Sequence, residues 1–390
     1  MSLIKTTDEL AELCHKLAEE RYITVDTEFL RDKTYYPKLC LVQVAGKEVS
    51  CAIDVLAKDM DMTPLFALLD NSAVLKVFHS ARQDIEIIYN LTGKIPAPLF
   101  DTQVAAMVCG FGEAVSYEVL ARKFAGIQLD KSSRFTDWSR RPLTKKQLAY
   151  AISDVVHLRV VYEKLIKKLQ ENGRTHWLTE EMETLTDPQN YANDPEFAWE
   201  RIRVRSGQSP RFIKRVQELA KWREITAKKR DLPRNHIIKE QTLLEIAASA
   251  PQTIDALRHI RGLGKVSDSS PMVEEILAVM EEVENLPEDQ LPPHKPKRAA
   301  PKNGALTELL KVLLKMQSDD QHVAAKLIAT SDDLALIAAE KNADVPAMQG
   351  WRYEVFGQYA ESLKEGKIAL SAKGNKMLLI ELTPQEKTAN

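Results

Sequence analysis

The chain has 390 residues, a formal net charge of −2, 44% hydrophobic and 28% charged residues. That length exceeds one compact core and predicts two or three domains of ordinary globular composition. The four cysteines (Cys14, Cys40, Cys51 and Cys109) form no C-x-x-C pair and have apolar neighbours, so buried free thiols are expected rather than a zinc site or a disulfide framework. With no basic-then-apolar leader pattern and no apolar run of membrane-spanning length, a cytoplasmic protein is expected.

Thr6 or Thr7 with Asp8 and Glu9 marks a helix start, and Leu10, Leu13, Leu17 and Ala18 supply its buried stripe. Ile23–Phe29 follows as a strand rich in β-branched residues. Strand side chains alternate, so Asp26 and Glu28 share one face and Thr27 takes the other. Two carboxylates side by side repel, and a divalent cation is the usual remedy. A strand ending in a solvated acidic turn is the competing reading. Cys40–Ala45 and Val49–Ile53, separated by Gly46-Lys47, predict a hairpin beside this strand. Helices are predicted over Met62–Leu69 and Ala81–Asn90, with a strand over Val74–Phe78 between them. This alternation predicts a mixed α/β sheet covered by helices. Further helices are predicted at Val104–Cys109, Tyr117–Phe124 and, most strongly, Thr144–Lys168.

Other acidic residues appear along this order. Asp84 falls in the first turn of a helix, late for a cap and able to point back toward the strand ends. Asp101-Thr102 reads as a cap for the next helix. Tyr150 and Asp154 lie four apart on one face of the long helix. An Asp beside Leu148, Ala151, Val155 and Leu158 is costly to bury unless paired or bound to metal. A Tyr–Asp hydrogen bond on a half-exposed face is the simpler alternative.

The ordered set Asp26-Thr27-Glu28, His79-Ser80-Ala81-Arg82-Gln83-Asp84 and Tyr150-Ala151-Ile152-Ser153-Asp154 resembles the DEDD superfamily of 3′–5′ exonucleases, Tyr subtype. Asp26–Phe29 followed by Thr34-Tyr35-Tyr36-Pro37 and Leu39–Gln43 is similar to the ribonuclease D family. So are Leu99–Gln103 and Leu129-Asp130-Lys131-Ser132 ahead of Thr136-Asp137-Trp138. The likeness covers about the first half of the chain. It implies an RNase H-like α/β nuclease domain, a mixed sheet flanked by helices, that hydrolyses the 3′-terminal phosphodiester and releases nucleoside 5′-monophosphates. By motif, Asp26, Glu28, Asp84 and Asp154 would hold two divalent ions (Mg2+ or Mn2+), and Tyr150 would orient the attacking water. Hard divalent ions take oxygen ligands, and two of them can stabilise both the attacking and the leaving oxygen. Phe29 stacks on the terminal base or belongs to the core. His79 contacts the substrate backbone or is structural.

The second half changes character. Residues 171–206 form a polar connector with Pro188 and Pro195. From Arg203 to Lys239 twelve Lys and Arg face three acids, the footprint expected for phosphate contacts, against the alternative of a solvated helix face. Arg211, Lys214 and Arg215 are its candidate substrate contacts. Ala220-Lys221-Trp222-Arg223, Asp231-Leu232-Pro233 and Ile260-Arg261-Gly262-Leu263-Gly264, within residues 207–285, resemble an HRDC domain. Five prolines and the run His294–Arg298 mark residues 286–303 as a linker. Residues 304–383 predict a second helical, HRDC-like module that packs back on the chain and admits only single-stranded 3′ ends. The expected architecture is the nuclease domain (residues 1–170) followed by two small all-α HRDC-type domains.

The expected function is a metal-dependent 3′–5′ exoribonuclease acting on RNA with a single-stranded 3′ end, tRNA precursors in particular, as a monomer away from membranes. A DNA-directed exonuclease of the same superfamily and a non-catalytic RNA-binding adaptor are the alternatives. The adaptor is disfavoured because all four carboxylates are present.

Overall fold

The apolar run after the first helix becomes an inner strand of a six-stranded mixed sheet. The computed structural model describes residues 2–130, 132–205, 207–263, 271–293 and 304–382. In chain order come β1 (Ser2–Ile4), α1 (Thr7–Leu17), β2 (Tyr22–Leu30), β3 (Lys38–Ala45), β4 (Ser50–Ile53), α2 (Thr63–Asp70), β5 (Leu75–Phe78), α3 (Arg82–Thr92) and β6 (Leu99–Asp101). They are followed by α4 (Thr102–Val108), α5 (Tyr117–Ala125), α6 (Lys145–Glu171) and α7 (Thr175–Leu185). The strand order is β1-β4-β3-β2-β5-β6. β2, β3 and β4 pair antiparallel, while β2 with β5, β5 with β6 and β1 with β4 pair parallel. The expected mixed sheet is present. β1 was not foreseen, because three residues are too few to display a period.

The helices begin where their caps dictate. Thr6 and Glu9 form a capping box at α1, and Thr144 and Gln147 form another at α6. Leu10, Leu13 and Leu17 of α1 bury against Ile23, Val25, Val42 and Val44, together with residues of α2 and α3. Each such side chain contributes roughly 1.5–3 kcal/mol. On the opposite face, Ala151 and Ile152 of α6 pack on Leu41, Ala52 and Trp138. Alternation therefore sends Val25 and Thr27 toward α1–α3, and Thr24, Asp26 and Glu28 toward α6. Thr24 confirms the α6 side, since its hydroxyl donates to the Val155 carbonyl at 2.8 Å.

The helices α8 (Pro210–Arg230), α9 (Arg234–Ile237), α10 (Glu240–Ser249), α11 (Ile254–Arg258) and α12 (Pro271–Glu284) share one buried cluster, with Val216, Leu219, Ile246 and Ile276 at its centre. Tyr35, from the loop after β2, belongs to that cluster. Its hydroxyl donates to Glu224, and Arg234 pairs with Glu224 at 2.5 Å. The backbone N–H groups of Tyr35 and Tyr36 both donate to Asp231 Oδ1, at 3.0 and 3.2 Å. The helical bundle is thus clamped to the loop that leaves the acidic strand.

The helices α13 (Gly304–Gln321), α14 (Ala325–Ile328) and α15 (Ser331–Ala339), with Gln358–Lys364, pack back on α4, α6 and α7 in one shared core. Trp177 stacks on Trp351 with ring centroids 4.5 Å apart and planes 12° apart. Arg174 donates to the carbonyls of Val108 and His322 at 3.1 and 3.3 Å. The expected return of this segment onto the nuclease region is observed. Its expected all-α character is corrected: β7 (Ile368–Lys373) and β8 (Lys376–Glu381) form an antiparallel hairpin. Gly374 at its turn has φ +60°, a left-handed conformation that glycine adopts without penalty.

All four cysteines are buried and unbridged. Among the described residues, no helix is long and apolar enough to cross a membrane. Lys131, Gly264, the His294–Arg298 run and Pro301 lie outside the described residues.

Candidate active site

β2 is longer than its parallel neighbour. Pairing with β5 ends at Thr24↔Val77, whereas pairing with β3 continues to Leu30↔Lys38. A bulge between Glu28 and Phe29 re-aims the strand there. Beyond Thr24, β5 no longer flanks β2, and a cleft of about 830 Å³ opens beside Asp26, Glu28 and Phe29.

The chain leaves β5 through His79-Ser80-Ala81. Ser80 is left-handed, with φ 61°. Asp101 holds this turn, accepting from the N–H of Ser80 at 3.0 Å and of Ala81 at 2.8 Å. The same carboxylate caps α4 through the N–H groups of Gln103 and Val104. The reading of Asp101 as a cap is correct, and the cap also fixes the entry to α3, which carries Asp84.

Carboxylate oxygens of Asp26, Glu28 and Asp154 all lie within 4.8 Å of one another. Asp154 reaches them from α6, and Tyr150, one helical turn earlier, lines the same cleft. Asp84 also lines the cleft but stands outside this trio, because its carboxylate accepts a hydrogen bond from the Thr27 hydroxyl. The strand's alternation explains the split: Thr27 faces α3, and its neighbours face α6.

Burial and mutual repulsion govern the electrostatics. Burial first, and then Asp154, pushes the Asp26 carboxyl up to about 8. Burial, and then Asp26, Asp154 and Asp84, pushes Glu28 to about 10, with Arg134 pulling the other way. Burial raises Asp154 to about 7 against the opposing pull of Tyr150 and Arg134. Asp84 is also raised well above the ordinary range, by burial and then by Asp26. Burial and the same acids hold the Tyr150 phenol above its usual value. Such a set of crowded oxygen donors fits a hard divalent cation, which would relieve both the repulsion and the burial cost.

His79 lines the cleft, but its Nδ1 lies 2.9 Å from Thr102 Oγ1 and its ring 5.5 Å from that of Tyr117. Burial lowers its pKa, so the ring is held neutral. Phe29 lines the cleft while packing against the sheet core.

The side chains of the basic triplet Arg211, Lys214 and Arg215 have partners within the helical bundle. Arg211 donates to the carbonyls of Val283, Glu284 and Leu286 and pairs with Glu288. Arg215 pairs with Glu284 at 2.6 Å and donates to the Ala247 carbonyl. Lys214 pairs with Glu218 on its own helix at 2.6 Å. These donors tie α8 to α10 and α12 and brace α8 itself.

Three contributors escaped the sequence reading. Thr27 was placed on its face but given no role. The Tyr117 hydroxyl donates to the Asp154 carbonyl at 2.6 Å and steadies α6 at that point. Arg134 acts on Glu28 and Asp154 from the segment between α5 and α6. No local period announces a contact of this kind.

The comparisons with known proteins agree with this geometry. A family model described as a 3′-5′ exonuclease matches residues 1–170, and one for the HRDC domain matches residues 213–279. Ribonuclease D of Granulibacter bethesdensis is 45% identical over 381 residues, which cover 97% of this chain and 96% of that one. Ribonuclease D of Nitrobacter hamburgensis is 47% identical over 385 residues, covering 98% and 100%. The crystal structure of Escherichia coli RNase D, described as an exoribonuclease involved in structured RNA processing, matches with a TM-score of 0.82 and 30% identity, covering 94% of this chain and 98% of that one.

Proposed function

The chain belongs to the ribonuclease D family and is a 3′–5′ exoribonuclease; on that premise we propose that Asp26, Glu28, Asp84 and Asp154 hold two divalent ions, Mg2+ or Mn2+, and that Tyr150 orients the attacking water. The observation that carries this reading is the convergence of Asp26, Glu28 and Asp154 within 4.8 Å, from a strand and a helix far apart in sequence. When bound, the ions would offset the negative charge of the scissile phosphate and lower the pKa of the water. Tyr150 stays protonated, since burial and the surrounding acids oppose its ionisation. It therefore positions the water by hydrogen bonding and does not act as the base. Asp84 is steadied by Thr27, and Asp154 by the grip of Tyr117 on its carbonyl. Phe29 and His79 border the path of the 3′-terminal nucleotide. The products are nucleoside 5′-monophosphates.

The substrate is RNA with a single-stranded 3′ end, with tRNA precursors as the physiological class. The solved relative acts in structured RNA processing, and the packing of the last helices against α4, α6 and α7 places a helical module beside the nuclease core. The chain divides into the exonuclease domain (1–170), a connector (171–206), the HRDC domain (207–285), a linker (286–303) and a second HRDC-like module (304–383) that ends in a hairpin. It works as a cytoplasmic monomer, and four buried, unbridged thiols suit a reducing compartment.

The test is a 5′-labelled single-stranded RNA incubated with Mg2+, with Mn2+ or with EDTA, using wild type and Asp154→Ala. A ladder shortening from the 3′ end, dependent on metal and lost in the variant, is expected. Metal-dependent binding without shortening overturns the hydrolytic role of the carboxylates.

A further inference from the structure

Phe135 is 91% exposed, far more than the other exposed aromatic residues, Phe197 at 60%, Tyr36 at 39% and Tyr353 at 37%. It lines the same cleft as Asp26, Glu28 and Asp154. Water contact over nearly a whole phenyl ring is unfavourable, and folding gains little from a ring that buries so little surface.

Its backbone, by contrast, is well fixed. The Thr136 N–H donates to the Ser133 carbonyl at 3.2 Å, closing a tight turn with Arg134 and Phe135 as its two central residues. The Thr136 hydroxyl donates to the same carbonyl at 2.8 Å. The turn is then tied to α6, because Gln147 Nε2 donates to Thr136 Oγ1 at 3.1 Å. Ser133 and Gln147 are themselves buried. Turn tips favour Gly, Asn, Asp, Ser and Pro for backbone reasons that neither Arg nor Phe satisfies. An anchored turn that displays Arg-Phe is therefore explained better by what it meets than by how it folds.

Arg134 links the two ends of this arrangement. Its guanidinium carbon lies 5.2 Å from the Phe135 ring centroid, and its charge acts on Glu28 and Asp154. Among the described residues it forms no ion pair, whereas Arg31, the other arginine of the cleft, pairs with Glu86 at 2.8 Å.

We propose that the Ser133–Thr136 turn is a nucleotide grip at the mouth of the cleft, in which Phe135 stacks on a base of the incoming single-stranded RNA and Arg134 contacts the adjoining phosphate. Every base has a π face, so such a contact holds the strand without reading its sequence. An arginine beside the ring adds charge for the backbone in the same place. Phe29, partly buried on β2, borders the reacting end, and Phe135 serves a nucleotide farther out. This inference rests on the exoribonuclease reading for its ligand, single-stranded RNA.

The test measures the affinity of a labelled single-stranded RNA by anisotropy in EDTA, where no turnover occurs, together with KM and kcat in Mg2+. Phe135→Ala is expected to raise Kd and KM together by about 5- to 100-fold, with a far smaller change in kcat. Phe135→Trp keeps a stacking face and is expected to restore both constants. Arg134→Gln is expected to reduce the slope of log affinity against log salt by about 0.7. Removing an exposed side chain leaves no cavity, so these variants fold. A Kd for Phe135→Ala within twofold of wild type overturns the grip, and so does a Trp variant as weak as the Ala variant. Wild-type protein that binds RNA but never shortens it in metal overturns the hydrolytic reading alone, because Kd is read without turnover. Wild-type protein that does not bind RNA overturns both.

Discussion

Thr27 donates a hydrogen bond to Asp84 across the face of β2 opposite Asp26 and Glu28. One residue therefore couples the two sides of the acidic site. The strand presents two carboxylates to α6, and the residue between them orients the carboxylate that arrives on α3.

Thr27→Val keeps the side-chain volume and removes the donor. Asp84 then loses its hydrogen bond while buried, which costs about 1–3 kcal/mol when the carboxylate is charged. Groups that orient metal-binding side chains typically change metal affinity or activity by roughly 10- to 100-fold. Titration of activity against Mg2+ is expected to show a raised half-saturation point. An unaltered titration would show that Thr27 has no part in orienting Asp84.

Asp26→Asn removes one charge from the trio and leaves its shape. Hydrolysis of RNA is expected to be abolished, with RNA affinity nearly intact. Loss of binding in step with activity would show that the carboxylates and the strand-holding surface are not separable.

Stability without metal is expected to fall as pH rises. Asp26, Glu28 and Asp154 all have folded-state pKa values above the unfolded range near 4, at about 8, about 10 and about 7. Between the unfolded and folded values the native state binds more protons than the unfolded chain, so the unfolding free energy declines across that window. Added Mg2+ is expected to reverse the trend, stabilising the protein more at pH 8 than at pH 5 and releasing protons on binding. Calorimetry in buffers of different ionisation enthalpy reads that proton release directly. A metal effect independent of pH would mean that these acids are already ionised without metal.

The basic residues of α8 and of the α10 N-cap, Lys239, separate into two groups. Neutralising Arg211 and Arg215 is expected to destabilise the bundle by about 1–3 kcal/mol and to leave the salt dependence of RNA binding unaltered. Lys229, Arg230 and Lys239 are exposed and, among the described residues, without an ion pair. Lys229 and Arg230 immediately precede Asp231, which clamps the loop after β2. Neutralising all three is expected to flatten the salt slope by up to about 2. A slope that neither set alters would remove this stretch from the RNA-binding surface.

Tyr35→Phe tests the clamp between the bundle and the nuclease region. The Glu224 side chain is 1% exposed and would lose the tyrosine hydroxyl while keeping Arg234. A loss of about 1–2 kcal/mol is expected, read as faster amide exchange in residues 33–36 and at the end of α8. Unaltered exchange would leave Asp231 as the effective tie.

The sequence alone settled whatever obeys a short period. Alternation over Ile23–Phe29 put Asp26 and Glu28 on one face, and a separation of four put Tyr150 beside Asp154 on one helix. Their order along the chain pointed to the family, because strand and helix geometry repeats within a few residues and is written locally. The helices of residues 304–363 were legible from their period, but their return onto the nuclease region was only a hypothesis that the packing against α4, α6 and α7 decided. Tertiary structure decided the rest. It turned Asp84 toward Thr27, occupied Arg211 with carbonyls more than 70 residues away, added β7 and β8, and set Arg134 and Phe135 at the mouth of the cleft. A charged or aromatic side chain has the same local signature whether it meets water, a carbonyl or a substrate. What it meets depends on which distant segment the fold brings to it.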